Sequence, residues 1–254
     1  MPANTIDIDF GSLNLDSTNN IAIAKISIQP KMLVKLSSIP KSDGSIAEAG
    51  KITSVVISVS GDIAGTDYDN LRSNLDTLRA GLQNGFQKFT TDDDRYMMAQ
   101  LTSFNYSFKT LRTIADWKAT FVAHYPYWLA ETETTDDRTP TSGVGYTINN
   151  PGNAVCRVKI EVTAPGAGIS DACQIENTTR GELCKYRGDI VAAKVLEIDN
   201  RYDTDDFQVI NDGTDDFANF EGDFINLSPG DNTIEFTGTA STDVKLYYRG
   251  AWTP

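Results

Sequence analysis

The chain has 254 residues, of which 40% are hydrophobic and 22% charged, and its 35 acidic and 22 basic residues give a net charge of −13. This composition is typical of a folded globular protein, and no apolar run approaches the roughly 18 residues of a membrane helix, so we expect no membrane insertion. The acidic balance argues against a dedicated nucleic-acid binder, which needs a basic face to displace counterions. His124 is the only histidine, which leaves at most one place for a histidine-based triad or metal site.

The negative charge is concentrated in the second half. Residues 1–130 contain 12 basic and 13 acidic residues, whereas residues 131–254 contain 10 and 22, for net charges of −1 and −12. A polar segment with almost no apolar content, residues 131–145, marks the change. The expected division is an N-terminal domain over residues 1–132, a linker over residues 133–145 and a C-terminal domain over residues 146–254.

Alternation of apolar and polar residues predicts strands in the first half, because successive side chains of a strand point to opposite faces. The alternating sets are Ile6, Ile8 and Phe10; Ala22, Ala24, Ile26 and Ile28; Val55, Ile57 and Val59; Phe104, Tyr106 and Phe108; and Trp117, Ala119, Phe121 and Ala123.

One helix is predicted between the third and fourth of these strands. Its single apolar stripe consists of Leu71, Leu75, Leu78 and Leu82. Thr66 is expected to cap its N-terminus, with Asp69 three residues later, and Gly85 is expected to cap its C-terminus. The first half is therefore predicted to be an α+β domain, a β-sandwich or barrel-like sheet with one packed helix.

The second half is expected to be all-β. Its turn signals recur about every ten residues, the spacing of a sandwich or jelly roll. The predicted strands cover residues 156–162, 169–176, 190–198, 207–210, 233–236 and 244–249. The chain as a whole is thus predicted to be mainly β.

Three cysteines, Cys156, Cys173 and Cys184, have no metal-binding or redox spacing. Their odd number fits a reducing compartment better than a disulfide framework. Cys156 alternates in phase with Val158, which predicts a small core residue.

An acidic cluster between residues 203 and 223 could supply oxygen ligands for calcium, but it lacks the loop pattern of an EF-hand. A solvated hairpin with acidic turns is the preferred interpretation, and calcium binding is the alternative. The cluster consists of Asp203, Asp205, Asp206, Asp212, Asp215, Asp216, Glu221 and Asp223.

The aromatic run from His124 to Trp128 could stack on a sugar ring, but such a run at the end of a strand is more often a packing corner. The same alternatives apply to Tyr247 and Trp252. No local motif proposes a carboxylate pair for glycoside hydrolysis, and glycine-rich nucleotide signatures are absent. We therefore predict no catalytic residue, cofactor or metal site, and favour binding or structural work over catalysis.

Several motifs follow one another in an informative order. A strand that ends in V-S-G-D-I at residues 59–63 runs into the leucine-striped helix, and a long hairpin returns through W-K-A-T-F at residues 117–121 to the aromatic corner at residues 125–127. The segment G-D-F-I-N-L-S-P-G-D-N-T-I at residues 222–234 then precedes the last predicted strand. This order resembles the distal tail proteins of siphophages, the bacteriophages with long non-contractile tails.

The resemblance implies that the N-terminal domain forms a hexameric ring at the tail tip, which continues the tail tube and surrounds the DNA exit channel. The C-terminal domain would be a galectin-like or carbohydrate-module-like β-sandwich outside this ring. The implied partners are further copies of the chain, the tail tube protein, the tape-measure protein and a tail-associated hub or receptor-binding protein. The implied location is the virion tail tip, after assembly in the host cytoplasm, with no enzymatic activity and no sequence-specific nucleic-acid binding.

Two other functions remain open at this point, a carbohydrate-binding adhesin module and a baseplate enzyme that degrades cell wall. Candidates to line the channel are Lys31, Lys35, Lys41 and Lys88, although each fits a solvated surface as well.

Overall fold

The computed structural model describes the chain except for residues 1–7, 16–19, 34–35, 39–44, 48–50, 92–93, 111, 171–172 and 202–206. The chain divides into two compact units, Met1–Trp128 with Pro254 and Leu129–Thr253. The domain bounds expected from the sequence, with a linker over residues 133–145, remain a proposal. Six residues singled out above lie outside the described residues: Ile6, Lys35, Lys41, Asp203, Asp205 and Asp206.

The first unit is built on an antiparallel sheet. Its strands are β1 (Asp9–Phe10), β2 (Leu13–Asn14), β3 (Ile21–Leu33), β4 (Leu36–Ser38), β5 (Ser45–Ala47), β6 (Lys51–Ala64), β7 (Phe86–Thr91), β8 (Arg95–Phe108) and β9 (Ile114–Ala123). The sheet order is β2-β1-β7-β8-β9-β6-β3, and β4 pairs with β5 as a separate hairpin. Of the two predicted forms of this domain, the described strands form an open sheet from β2 to β3 and not a barrel, and the predicted helix packs on its apolar face.

Alternation along the long strands sends apolar side chains to one face of this sheet. In β6, Val55, Ile57, Val59 and Ile63 are buried, and the residues between them face the other side and are partly exposed. The buried face joins the leucines of helix α1 (Tyr68–Leu82) in one core. The predicted α+β character of the first half is therefore confirmed.

The four predicted leucines of helix α1 are all buried, which confirms the apolar stripe. The predicted cap is wrong, because the Asp67 carboxylate, rather than the Thr66 hydroxyl, accepts the hydrogen bond from the Asn70 N–H at 2.8 Å. Asp67 has the extended backbone of an N-cap residue and stands three positions before that N–H, whereas Thr66 lies one position too early. The predicted C-terminal cap is also displaced, because the helix ends at Leu82 with Gln83 as its C-cap residue, and Gly85, with φ of +74°, lies two residues beyond Gln83.

The second unit is all-β, as predicted. Its strands are β10 (Trp128–Ala130), β11 (Thr134–Arg138), β12 (Val144–Asn150), β13 (Cys156–Thr163), β14 (Cys173–Asn177), β15 (Glu182–Tyr186), β16 (Val195–Asp199), β17 (Gln208–Asn211), β18 (Thr214–Asp215), β19 (Phe220–Gly222), β20 (Asn226–Leu227), β21 (Gly230–Thr237), β22 (Asp243–Tyr248) and β23 (Ala251–Trp252). One sheet has the order β11-β22-β13-β16-β17-β18 and the other β12-β21-β14-β15-β19. In β13 the residues from Cys156 to Thr163 alternate between buried and partly buried, as expected of a strand that covers a core.

Part of the expected linker is a strand. All five residues of Thr134–Arg138 are polar, and they pair with β22 from Tyr248 to Val244 at the edge of a sheet. Backbone hydrogen bonds to β22 stabilise this strand, and its side chains bury no apolar face. The sequence therefore lacks the hydrophobic alternation by which a strand is predicted. Two predicted strands also begin later than expected, at Cys173 and at Val195. Their expected first residues, Ile169 and Ile190, form only an isolated bridge with each other. Among the described residues, no helix is long and apolar enough to span a bilayer.

Candidate assembly surfaces

The first unit exposes a row of aromatic side chains along the end of β8. Successive ring centroids are 6.4 Å apart between Trp117 and Phe104, 6.1 Å between Phe104 and Tyr106, 5.5 Å between Tyr106 and Phe108 and 5.4 Å between Phe108 and Tyr68. Trp117 is 2% exposed, whereas Tyr106 is 49%, Tyr68 40% and Phe108 39% exposed. We call Tyr68, Phe104, Tyr106 and Phe108 the aromatic row, because these rings continue the core outward to the surface.

The aromatic row is exposed because helix α1, which packs on this face of the sheet, does not extend over the end of β8. The helix directs its leucines into the core, and Tyr68 at its first position reaches only the outer end of the row. No residue of β8 from Thr102 to Phe108 is buried. A contiguous aromatic surface of this kind is typical of a protein–protein contact, where tyrosine and phenylalanine are enriched.

An ion-pair cluster joins β6, β9 and the end of β8 on the face of the sheet opposite the aromatic row. Lys109 Nζ is 2.9 Å from an Asp62 carboxylate oxygen and 3.1 Å from one of Asp116. The hydrogen bond from Lys109 lowers the pKa of Asp62, and the two carboxylates raise the pKa of Lys109. Asp62 and Asp116 also line a groove of about 460 Å³ together with residues of β3 and β8. The cluster combines two carboxylates with one ammonium group and is acidic in balance.

A second apolar surface lies where β3 pairs with the start of β6. Met32 is 61% exposed and Leu33 65% exposed. Leu33 pairs with Lys51, and Lys31 pairs with Ser54 in the same ladder. We call Lys31, Met32, Leu33 and Lys51 the basic tip.

The basic tip and the aromatic row lie at opposite ends of β6. Lys51 is its first residue, whereas Ile63 near its end pairs with Ala115, which in turn pairs with Phe108. A strand of this length spans roughly 40 Å. One copy of the chain therefore cannot bring its own two apolar surfaces together.

The described members of the acidic cluster have separate partners. Asp212 accepts a hydrogen bond from Lys194 at 2.9 Å, Asp216 accepts one from the Tyr186 hydroxyl, and Glu221 pairs with Arg187. Within the part of the chain that the structure describes, no group of three or more His, Cys, Asp or Glu side chains is placed to hold a metal ion. Asp212, Asp216 and Glu221 thus each have a different partner.

A phenylalanine cluster in the same region is not recognised by the sequence analysis. Ring centroids lie 4.9 Å apart between Phe207 and Phe224, 4.7 Å between Phe220 and Phe224 and 5.6 Å between Phe217 and Phe220. The Arg157 guanidinium lies 5.1 Å from the Phe207 ring. The density of phenylalanine between residues 207 and 224 is the signal that could have revealed it.

Buried asparagines form hydrogen bonds that fix the segment at residues 222–234. The sequence alone does not predict this network. Asn232 accepts a hydrogen bond from the Ser228 N–H at 2.8 Å and donates to the Ser228 carbonyl at 2.8 Å. Asn177 Nδ2 donates to the Asn226 carbonyl at 2.7 Å and to Asn232 Oδ1 at 3.2 Å. Asn177 and Asn232 are both 0% exposed, so this turn is fixed from the interior.

A third asparagine extends this network to β13. Asn200, which is 2% exposed, accepts a hydrogen bond from the Val158 N–H at 2.9 Å and donates to Asn226 Oδ1 at 3.2 Å. The Asn226 N–H donates to Glu182 at 2.7 Å. The segment at residues 222–234 is thus held in place by hydrogen bonds of its asparagine amides to both backbone and side-chain groups.

The three cysteines are free thiols, and all are buried. Burial raises the pKa of Cys156 to about 12 and that of Cys173 to about 11, and it raises the pKa of Cys184 further. Such thiols are protonated and unreactive at neutral pH. The prediction that Cys156 is a core residue is confirmed by its 1% exposure.

The run from His124 to Trp128 forms a packing corner. His124 packs on Phe86 at 5.4 Å, Tyr125 packs on Tyr127 at 5.0 Å, and Trp128 contacts the core of the first unit. These ring contacts favour the packing-corner interpretation.

The other two aromatic candidates are also engaged or partly covered. The Tyr247 hydroxyl donates to Glu161 at 2.7 Å, and Trp252 is half-buried. Of the candidate channel lysines, Lys88 lies 4.3 Å from the Tyr96 ring and Lys31 is exposed in the basic tip. The structure does not gather the described channel candidates at one site.

Two units built on antiparallel sheets, with an aromatic surface left open on the first, define a β-rich structural protein suited to assembly. Residues 151–252 match the family described as siphovirus-type tail component, C-terminal domain. This range contains the segment at residues 222–234 on which the resemblance rested.

Solved structures share the fold over nearly the whole chain. The crystal structure of SPP1 Dit, described as a paradigm of the hub adsorption apparatus in phages that infect Gram-positive bacteria, is similar with a TM-score of 0.76 and 12% identity, over 96% of this chain and 98% of that one. A chain of the phage p2 baseplate, in its activated conformation with Sr, is similar with a TM-score of 0.51 and 10% identity, over 96% of this chain and 97% of that one. No curated protein matches the sequence.

Residues 151–252 are thus similar to the C-terminal domain of siphovirus-type tail components, and the chain shares its fold with a distal tail protein, SPP1 Dit. The resemblance inferred from the order of the motifs is therefore confirmed.

Proposed function

We propose that the chain assembles through its first unit into a sixfold ring at the tail tip, which joins the tail tube to the adsorption apparatus and surrounds the DNA exit channel. The observation that carries this proposal is the aromatic row, because contiguous rings exposed on the end of β8 are suited to contact with a protein partner. The fold shared with SPP1 Dit, which is described as a hub, supports the same role.

The division of charge is consistent with this arrangement. The first 130 residues are nearly neutral, so copies can associate without strong repulsion, and the remaining residues carry almost all of the negative charge. A nearly neutral wall also suits a channel for DNA, because a strongly basic wall would retain the duplex through its phosphates.

The proposed partners of the ring are the tail tube protein, the tape-measure protein and a tail-associated hub or receptor-binding protein. The proposed contribution of the chain is structural, without enzymatic activity and without sequence-specific recognition of DNA. Its second unit is proposed to be a galectin-like or carbohydrate-module-like sandwich placed outside the ring.

Negative-stain microscopy and native mass spectrometry of the purified full chain test the ring. We expect closed particles with a central hole and a mass of six copies. A uniformly monomeric protein at high concentration, both alone and in the presence of the tail tube protein, would contradict the proposal.

A further inference from the structure

We infer that the phenylalanine cluster of the second unit is a docking surface for a short basic segment of a partner protein, with an arginine or lysine of that segment stacked on Phe217. The inference goes beyond the proposed ring and does not depend on it, because every residue that carries it belongs to the second unit.

The cluster is only partly buried. Phe207 is 52% exposed and Phe217 47% exposed, while Phe220 and Phe224 are partly covered. The two outer rings leave on the order of 200 Å² uncovered. This area is too small for the face of a whole domain and suits a few side chains of a short segment.

One ring of the cluster already has a cation beside it. The Arg157 guanidinium lies 5.1 Å from the centroid of the Phe207 ring, within the distance of about 6 Å at which a cation is attracted to an aromatic face. Among the described residues, no cationic side chain lies over Phe217, although this ring is nearly as exposed. A cation of a partner can take the equivalent position there.

The charge around the cluster is acidic. Residues 207–224 include five acidic residues and no basic one. Two of the five form ion pairs, with Lys194 and with Arg187. The other three have no basic partner among the described side chains: Asp215, Asp216 and Asp223.

Two of these acidic residues belong to the turn that carries Phe217. The Asp215 carboxylate accepts a hydrogen bond from the Phe217 N–H at 3.3 Å, and the Asp216 carboxylate accepts one from the Asn219 side chain at 2.7 Å. Attraction between charges extends over about 8 Å at physiological salt, so both carboxylates favour a cation on this ring. A neutral sugar would gain nothing from this charge, which is why a basic protein segment is the inferred occupant.

Variants of the full chain test the ring and the charge separately. Phe217→Ala removes the ring, and Phe217→Leu keeps an apolar side chain without an aromatic face. Val144→Thr is the control for these two, because Val144 is 54% exposed on β12 at the opposite edge of the sheet from β19. Asp215→Asn removes one charge and can still accept the Phe217 N–H.

Asp231→Asn is the control for Asp215→Asn. It changes the net charge equally, and Asp231 is exposed on β21, which β14 and β15 separate from β19. Circular dichroism and thermal unfolding establish that each variant is folded. If Phe217→Ala does not fold, Phe217→Leu decides the role of the ring.

The probe is a fluorescein-labelled Arg-Leu-Arg-Leu-Arg peptide, whose binding is followed by fluorescence anisotropy at low and at physiological salt. We expect both Phe217 variants to weaken binding about threefold or more, the effect of one cation–π contact. Asp215→Asn should weaken it about twofold at low salt, whereas Val144→Thr and Asp231→Asn should bind as the wild type does. The same peptide with glutamate in place of arginine should not bind.

Several results would overturn the inference. They are wild-type affinity in both Phe217 variants, equal losses in Asp215→Asn and Asp231→Asn, and no binding of the peptide by the wild type at millimolar concentration. Displacement of the peptide by maltohexaose would assign the rings to a sugar and would overturn it as well. None of these results bears on the proposed ring, which is tested by the mass of the assembled particles.

Discussion

Asn232 and Ser228 form a reciprocal pair in the interior of the second unit. The Asn232 side chain accepts a hydrogen bond from the Ser228 N–H and donates one to the Ser228 carbonyl, each at 2.8 Å. The same amide also donates to the Gly230 carbonyl at 3.0 Å. One buried side chain therefore satisfies the backbone of the turn that connects β20 to β21.

We expect Asn232→Ala to destabilise the second unit by about 2–4 kcal/mol, because it leaves buried N–H and C=O groups without partners. Urea unfolding of the variant and the wild type measures this difference. Asn149→Ala is the control, since the exposed Asn149 amide bonds only the Asp231 carboxylate at 2.8 Å, and its expected effect is below about 0.5 kcal/mol. Equal effects of the two substitutions would refute the assigned role of Asn232.

Gly61 lies where β6 passes closest to β3. A Cβ atom at this position would be 2.0 Å from the Ala22 carbonyl oxygen, a backbone atom that can move only if the strands separate. We expect Gly61→Ala to cost about 2–3 kcal/mol, as overpacking does in a tight core. Gly166→Ala is the control, because no atom lies within 4 Å of its added Cβ. Thermal unfolding compares the two, and an unchanged melting temperature for Gly61→Ala would show that the strands are not this close.

The cap of helix α1 distinguishes two neighbouring residues. Removal of the Asp67 carboxylate leaves the Asn70 N–H without its acceptor, so Asp67→Ala should destabilise the first unit by about 1 kcal/mol. Thr66→Ala should have a clearly smaller effect, because the Thr66 hydroxyl does not accept from the helix backbone. Chemical denaturation of both variants measures the difference, and a larger loss in Thr66→Ala would restore the cap expected from the sequence.

The buried cysteines predict slow thiol chemistry. Because burial holds the pKa of Cys156 near 12 and that of Cys173 near 11, these thiols are protonated at pH 8. Ellman's reagent should therefore react slowly with the native protein and rapidly with all three thiols after unfolding in guanidinium chloride. Rapid reaction of any thiol in the native protein would contradict its burial.

The same thiols predict a loss of stability in alkaline solution. An unfolded thiol releases its proton near pH 9, whereas the folded thiols hold theirs to about pH 11 or 12, so the folded state binds more protons between these values. The free energy of unfolding is therefore undiminished below pH 9 and falls as the pH rises toward 11. Urea unfolding across this range measures the effect, and a flat profile would contradict it. Tyr146 and Tyr186, whose pKa values burial also raises, act in the same direction.

Much of the fold follows from side-chain periodicity, and the exceptions have a physical reason. Val55, Ile57 and Val59 reveal β6, and the leucine stripe reveals helix α1, because burial selects these side chains directly. The strand Thr134–Arg138 is not predicted from side-chain periodicity, because it is stabilised by backbone pairing with β22 alone. The alternating aromatic residues of β8 do predict a strand. Their alternation cannot show that helix α1 fails to cover Tyr106 and Phe108. Exposure of a correctly predicted apolar face depends on what packs over it, which is a property of the tertiary structure.

The first and last long strands of the second unit are neighbours. β11 pairs with β22, and just before it the Ala130 N–H donates to the Gly250 carbonyl at 3.0 Å. The first and last segments of this unit therefore lie side by side. A domain closed in this way can be exchanged or enlarged as a single module without rethreading the rest of the chain, so its surface can diversify without any change to the strands of the first unit.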